Sequence, residues 1–324
     1  MVDGLRWGVL GAAGIARTAM IPAIRRAGAG EVLAVSSASG RAPGYAADLG
    51  IARAYGSHEE LLADPEVDVV YVALPNTEHA RWTVAAAEAG KHVLCEKPIV
   101  LGLAELDAVE AAARRAGVQV AEAFMYRHHP QLRRVRELLD GGAIGELVTV
   151  ESSFHFTLAR TEPPNIRLRR DLGGGALNDI GCYPVDLLGW LTGSEPDDLG
   201  VVSHRDEPGG VATRVSVTAR YGALTANLHC SFDAAFRAEA RLIGSEGTIH
   251  LPDAFRADRR DAPARVVVER SEDREVLEVD GDQYGAQATW FAERVRTGTA
   301  DPEHAALTRR TAATLEGIAR LGDL

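Results

Sequence analysis

A strand-like apolar run at residues 5–10 ends in Gly11-Ala12-Ala13-Gly14-Ile15-Ala16, and a helical pattern at residues 15–27 follows at once. A buried strand that turns on glycine directly into a helix has few uses. The helix must cross back over a sheet and deliver the chain to a parallel neighbour, a right-handed βαβ unit. The next hundred residues repeat that rhythm. Apolar runs at 32–36, 67–73, 92–95 and 118–123 alternate with helical patterns at 78–89 and 103–116. Continuous apolar strands predict a parallel sheet covered on both faces.

The rhythm changes after residue 123. A helical pattern at 130–140 leads to a strand at 147–156, a loop rich in Arg, Pro and Gly at 158–175, and a helix at 179–191. Residues 199–279 read as consecutive strands, with 212–220, 224–232 and 237–243 the clearest and a hairpin turn at Tyr221-Gly222-Ala223. Helical patterns at 284–296 and 304–321 close the chain. The expected fold class is α/β: a doubly wound dinucleotide-binding domain over 1–123, then an α/β domain with a mostly antiparallel sheet over 124–324, whose last helix can pack back on the first domain. Residues 211–251 place apolar side chains on more than one strand face, which predicts a homo-oligomer, dimer or tetramer, through that sheet.

Composition narrows the class. A net charge of −11 argues against nucleic acid as a partner, because phosphate contacts need clustered cations. Cys95, Cys182 and Cys230 lack disulfide or zinc spacing, and the adjacent His128 and His129 lack metal-ligand spacing, so no metal is expected. The opening residues Met1-Val2-Asp3-Gly4 do not read as a signal peptide, and no apolar stretch reaches about 18 residues, so no membrane span is expected and the cytoplasm is the expected compartment.

The glycine turn has the form that cradles a pyrophosphate. Gly11 makes the tight turn, Ala16 stands where close helix packing is needed, and Ala13 takes the position where the backbone approaches phosphate. Gly14 and Ile15 belong to the same turn. An NAD site ends its second strand on an acid that reads the ribose. Here the chain reads Val35-Ser36-Ser37-Ala38-Ser39-Gly40-Arg41. Ser37, Ser39 and Arg41 suit a 2′-phosphate, so NADP is expected, with NAD possible.

Four further segments carry a resemblance: residues 73–79 (ALPNTEH), 90–98 (GKHVLCEKP), 122–127 (EAFMYR) and 173–183 (GGGALNDIGCY). In this order they resemble the glucose–fructose oxidoreductase / inositol dehydrogenase / rhizopine-catabolism family over nearly the whole chain. Residues 125–131 and Tyr183 look most like aldose dehydrogenases and nucleotide-sugar 3-ketoreductases; many other members have His where Tyr183 stands. The resemblance implies a Rossmann domain, an open antiparallel sheet that commonly packs on another subunit, and hydride transfer between NADP and a sugar carbon where the nicotinamide meets the second domain. It implies cofactor contacts at Leu74, Pro75, Asn76, His79, Glu96 and Lys97.

For the chemistry, Lys97 lies just beyond the fourth strand, at the carboxyl edge where parallel-sheet sites form. Only Lys91 and Lys97 are lysines among 35 basic residues. A Lys retained in an Arg-rich chain suggests a need for a cation that can lose its proton. Asp179 and Tyr183 share a helix face four residues apart. Tyr183 suits a proton donor whose pKa a nearby Lys lowers; Asp179 suits orientation of Lys97, a substrate contact, or a helix cap. Tyr126, Arg127 and Asn165 are candidate substrate contacts, with Arg127 suited to a phosphate or to an acid partner. Glu96 reads as a positioning residue, Asp186 and Trp190 as helix packing, and residues 173–175 as a flexible turn. Alternative functions are an aldose 1-dehydrogenase, a dihydrodiol dehydrogenase, or a ligand sensor that has lost chemistry; the joint presence of Lys97, Asp179 and Tyr183 argues against the sensor.

Overall fold

The computed structural model describes residues 4–259 and 262–324. Met1 to Asp3, read above for a leader, lie outside the described residues. The chain divides into two compact units, Met1–Met125 with Tyr284–Ala305, and Tyr126–Gln283 with Ala306–Leu324.

The first unit holds a six-stranded parallel sheet built from β1 (Arg6–Leu10), β2 (Glu31–Ser36), β3 (Arg53–Tyr55), β4 (Val69–Val72), β5 (His92–Cys95) and β6 (Val120–Glu122). Its order is β3-β2-β1-β4-β5-β6, so the direction of winding reverses between β1 and β4. In such sheets the ligand crevice opens outside the strand carboxyl ends at that reversal. The helices are α1 (Ile21–Arg26), α2 (Ala42–Leu49), α3 (His58–Leu62), α4 (Asn76–Glu88) and α5 (Leu103–Ala116). Most of α8 (Gln283–Thr297) belongs here too, with Phe291 against Trp7, ring centroids 6.0 Å apart. β3, α2 and α3 were not anticipated; β3 has three residues, none buried, and so shows no apolar run.

The second unit carries an eight-stranded sheet: β7 (Leu147–His155), β8 (Asp198–Arg205), β9 (Ala212–Tyr221), β10 (Leu224–Ser231), β11 (Arg237–Gly244), β12 (Thr248–Leu251), β13 (Ala264–Glu269) and β14 (Arg274–Val279). All pairs are antiparallel except β7 with β10. Helices α6 (Pro130–Asp140) and α7 (Cys182–Thr192), and most of α9 (Pro302–Leu321), complete the unit. Val215, Val217, Ala226, Leu228, Phe154, Ala240 and Leu242 are buried on one face of the sheet. The register puts Arg214, Thr218, Arg220, His229, Glu151 and Arg241 on the other. The second face is thus mostly polar, with Val202 and Val276 exposed among the charged and polar side chains.

Two helices open on a five-residue π turn, Ala16–Met20 ahead of α1 and Leu177–Gly181 ahead of α7. Each is followed within three residues by a proline, Pro22 and Pro184. Proline donates no N–H and its ring crowds the carbonyl four residues back, so the preceding turn widens.

Several histidines are built in as neutral rings. His92 Nδ1 accepts the Gln119 N–H at 2.9 Å and His129 Nδ1 accepts the Gln131 N–H at 3.1 Å. Burial lowers the pKa of both, and of His58 against Ser36. In the unfolded chain these rings take up protons near pH ~6.5. A folded pKa below the unfolded one gives stability that is complete above about pH 6.5 and is lost as pH falls through the folded values. Urea midpoints should therefore hold steady above about pH 7 and decline as pH falls below about 6.5. That decline should shrink in a His92→Gln/His129→Gln double variant; an unchanged decline there would assign it to other groups.

Candidate active site

The glycine turn sits at the reversal of the sheet. Gly11 has φ +102°, and a Cβ there would lie 2.4 Å from the Ala73 carbonyl oxygen. The Gly11 N–H donates to Ser36 at 3.0 Å and the Ala73 N–H to Leu10 at 2.9 Å, so the ends of β1, β2 and β4 are tied at one point. Beyond it, Ala13 and Ile15 are half-buried, Gly14 is exposed, and a Cβ on Gly14 would meet nothing within 4 Å. Open backbone ahead of a helix, at the crevice of a doubly wound sheet, fits a dinucleotide pyrophosphate. At the end of β2, Ser37 Oγ and Ser39 Oγ are 3.0 Å apart, and Arg41 Nε donates to Ser39 Oγ at 2.9 Å. The three residues expected to read the ribose thus form one cluster.

Leu74 and Pro75 lie between β4 and α4, and Asn76 opens α4. His79 is 1% exposed, and its two ring nitrogens face the Leu74 carbonyl at 2.8 Å and the Pro98 carbonyl at 2.7 Å. It braces the loop after β4 against the loop after β5. Burial lowers its pKa and the two carbonyls oppose that pull. In the loop after β5, the Glu96 carboxylate accepts from Tyr71 Oη and, at 3.3 Å, from the Lys97 N–H. Burial, with Glu96 adding to it, pushes the Tyr71 pKa well up, so the phenol stays a donor. The Lys97–Pro98 bond is cis. Glu122 accepts the Ile99 N–H at 3.0 Å. Lys97 is half-buried on this braced loop. The other lysine is structural: Lys91 Nζ donates to the carbonyls of Asp64 and Val67 at 2.7 and 2.8 Å.

In the second unit, the glycine run builds a fixed turn rather than a flexible one. The N–H groups of Gly173, Gly174 and Gly175 donate to the carbonyls of Arg170, Arg169 and Arg167 at 3.0, 2.9 and 2.8 Å. A Cβ on Gly174 would lie 2.5 Å from the Arg167 carbonyl, and Gly175 has φ +115°. Asn165 Oδ1 accepts the Arg167 N–H at 3.1 Å, so this expected substrate contact shapes the turn that holds Arg167. Arg167 Nε in turn donates to Asp179 Oδ2 at 2.6 Å. Asp179 lies inside the π turn Leu177–Gly181, not at a helix cap. Tyr183 follows on α7, its ring 5.3 Å from Phe154, 5.6 Å from Phe255 and 5.9 Å from Tyr126 between centroids. A ring packed among three others has few rotamers, which fixes where its hydroxyl points. Arg167 was missed because it is one of four arginines in an irregular loop, and its partner lies twelve residues away without any helical or strand period.

Arg127 departs from its phosphate reading. Its side chain is 6% exposed and its guanidinium is paired with Asp186, whose side chain is fully buried. Asp186 also accepts from Tyr126 Oη and, at 2.8 Å, from Thr311 Oγ1. Tyr126 is 1% exposed, and burial, then Asp186, push its pKa well up. Tyr126 and Arg127 are therefore spent on a buried polar cluster, and Asp186, read as packing, is its acceptor. Among the described residues no group of three His, Cys, Asp or Glu is placed to hold a metal, and no helix is long and apolar enough to cross a membrane.

A Rossmann unit with an open glycine turn, in a chain whose second unit carries an ordered acid and tyrosine, points to a dinucleotide-dependent oxidoreductase. Comparison with known proteins is specific. The oxidoreductase family with an NAD-binding Rossmann fold matches residues 5–124, and the GFO/IDH/MocA C-terminal domain matches residues 132–250. D-xylose 1-dehydrogenase (NADP(+)) 2 of Haloferax volcanii is 38% identical over 91% of this chain and 90% of its own. The dTDP-3,4-didehydro-2,6-dideoxy-α-D-glucose 3-reductase of Streptomyces violaceoruber is 36% identical over 91% of this chain and 86% of its own. A 3-ketoreductase from Actinomadura kijaniata, KijD10, solved with NADP and TDP-benzene, superposes with TM-score 0.90 at 30% identity, covering 99% of this chain and 98% of that one. The chain belongs to the GFO/IDH/MocA family and is an NAD(P)-dependent oxidoreductase of the sugar and nucleotide-sugar branch.

The buried cluster gives a direct stability test. Asp186→Ala leaves the enclosed Arg127 guanidinium without its counter-charge and should cost about 3–5 kcal/mol. Urea denaturation would measure it; a loss under about 1 kcal/mol would mean that water replaces the carboxylate.

Proposed function

We propose that the enzyme uses NADP(H) to interconvert a ketone and an alcohol on a sugar carried by a nucleotide. The observation that carries the cofactor reading is the end of β2, where Ser37, Ser39 and Arg41 cluster and no acid stands. The Streptomyces and Actinomadura relatives support the substrate reading. A second reading, oxidation of a free aldose at its anomeric carbon, is favoured by the Haloferax relative.

Ketone reduction needs a hydride at carbon and a proton at oxygen; the dinucleotide supplies the hydride. The protein's own residues handle the rest. Gly11 to Ile15 take the pyrophosphate, and Leu74, Pro75 and Asn76 line the cofactor beyond it. Lys97, on the loop braced by Glu96 and His79, places a cation beside the oxygen as charge develops there, where a preorganised donor acts most strongly. Tyr183 gives the proton, and Lys97 lowers the energy of the phenolate left behind. Asp179, oriented by Arg167, accepts from substrate hydroxyls. In the oxidative direction Tyr183 receives the proton.

Absorbance of the nicotinamide, followed with nucleotide ketosugars, aldoses and inositols, tests the substrate class. Turnover of inositols alone would overturn both readings. Lys97→Ala should lower turnover by about 10²–10³, much more than it weakens cofactor binding. Tyr183→Phe should also lower it while the ring stays packed. Because both serve one proton transfer, the double variant should lose less than the product of the two; fully multiplicative losses would separate their roles. For the cofactor, Arg41→Ala should weaken NADPH more than NADH in fluorescence titrations, and equal weakening would remove the 2′-phosphate reading.

A further inference from the structure

Tyr45, on α2, is 6% exposed and donates its hydroxyl to the Ala13 carbonyl of the glycine turn at 2.9 Å. The Arg17 guanidinium lies over that ring, 4.6 Å from its centroid. Arg41 stands one helical turn before Tyr45, whose N–H donates to the Arg41 carbonyl at 3.1 Å. Burial pushes the Tyr45 pKa up to about 12, and Arg17 and Arg41 both oppose that rise. One guanidinium is therefore stacked on a tyrosine that is itself fastened to the pyrophosphate turn and follows Arg41 by one helical turn.

Their commitments differ. Arg41 is joined to Ser39 and, through it, to Ser37. Arg17 reaches Asp48 at 3.0 Å, with side chains 39% and 61% exposed. An ion pair that open to water holds weakly. A phosphate dianion, with three acceptor oxygens, competes for a guanidinium far better than one solvated carboxylate does. One arginine and two hydroxyls also leave a dianion with a net charge of −1, which a second cation at the same tyrosine would neutralise. The stacked ring holds the planar fork in a fixed orientation, which a flexible ammonium would not keep.

We propose that Arg17 is a specificity-determining residue for the cofactor: with Arg41, Ser37 and Ser39 it binds the 2′-phosphate of the adenosine ribose, and Tyr45 is the platform that presents it. The inference rests on the NADP reading above and adds to it a residue from a separate segment of the chain.

Binding titrations on the full-length protein test it without turnover, using NADPH, NADH, adenosine 2′,5′-bisphosphate and AMP followed by fluorescence or calorimetry. Arg17→Gln keeps part of the stem over Tyr45 and removes the charge. It should weaken NADPH and the bisphosphate about ten- to a hundredfold and leave NADH and AMP within about twofold. Arg17→Lys should recover part of the loss. Unchanged thermal melting shows that the glycine turn is intact. If Arg17→Gln weakens NADPH and NADH equally, or neither, Arg17 serves the fold and the inference fails. The NADP reading fails separately, in the unaltered protein, if NADPH and NADH bind there with equal affinity.

Discussion

The approach of Gly11 to the Ala73 carbonyl is the constraint on which the first unit depends. Without a Cβ at that point, β1 and β4 can end side by side and the chain can leave β1 with a positive φ. Any side chain would drive the two strand ends apart, and with them the loops that carry Ala13 on one side and Leu74 on the other. The sheet reversal is a general feature of the topology; the usable crevice is made by one missing methyl group.

The second unit solves a similar problem by different means. Asp179 and Tyr183 must leave a helix at defined angles, yet the segment before them is irregular. The three N–H groups of residues 173–175 close on the carbonyls of Arg170, Arg169 and Arg167, Gly174 lies directly against Arg167, and Arg167 is thereby delivered to Asp179. The π turn that contains Asp179 and the proline that follows it set the start of α7. Beneath, Asp186 collects the donors of Tyr126, Arg127 and Thr311, so two donor segments far apart in sequence share one acceptor. Ordered polar groups of this kind fix geometry more than they add stability.

Apart from β3, the strands of the first unit were legible because each lies in a continuous apolar run, and α5 and α6 because their periodicity is unbroken. The short edge elements between residues 37 and 66 were not, since half-exposed pieces of three to eight residues bury too little to leave a pattern. At the site, residue type was readable but commitment was not. An arginine beside a tyrosine at 126–127 suits a phosphate as well as it suits a buried acid, and only the position of Asp186, sixty residues on, decides. Gly-Gly-Gly suggested freedom because composition cannot register the carbonyls those amides face.

Lysine usage has a practical corollary. Of the two ε-amines in the chain, Lys91 is enclosed, with its donors turned onto two carbonyls, whereas Lys97 is half-exposed. Apart from the α-amine, a mild acylating or reductively alkylating reagent therefore meets one reactive side-chain nitrogen on the whole surface. Arginine, always protonated, stays inert to such reagents. The same composition that makes the protein Arg-rich thus makes its candidate catalytic amine individually addressable: a single isotopic or fluorescent label attached there would report from one known position, with no need to engineer the rest of the chain.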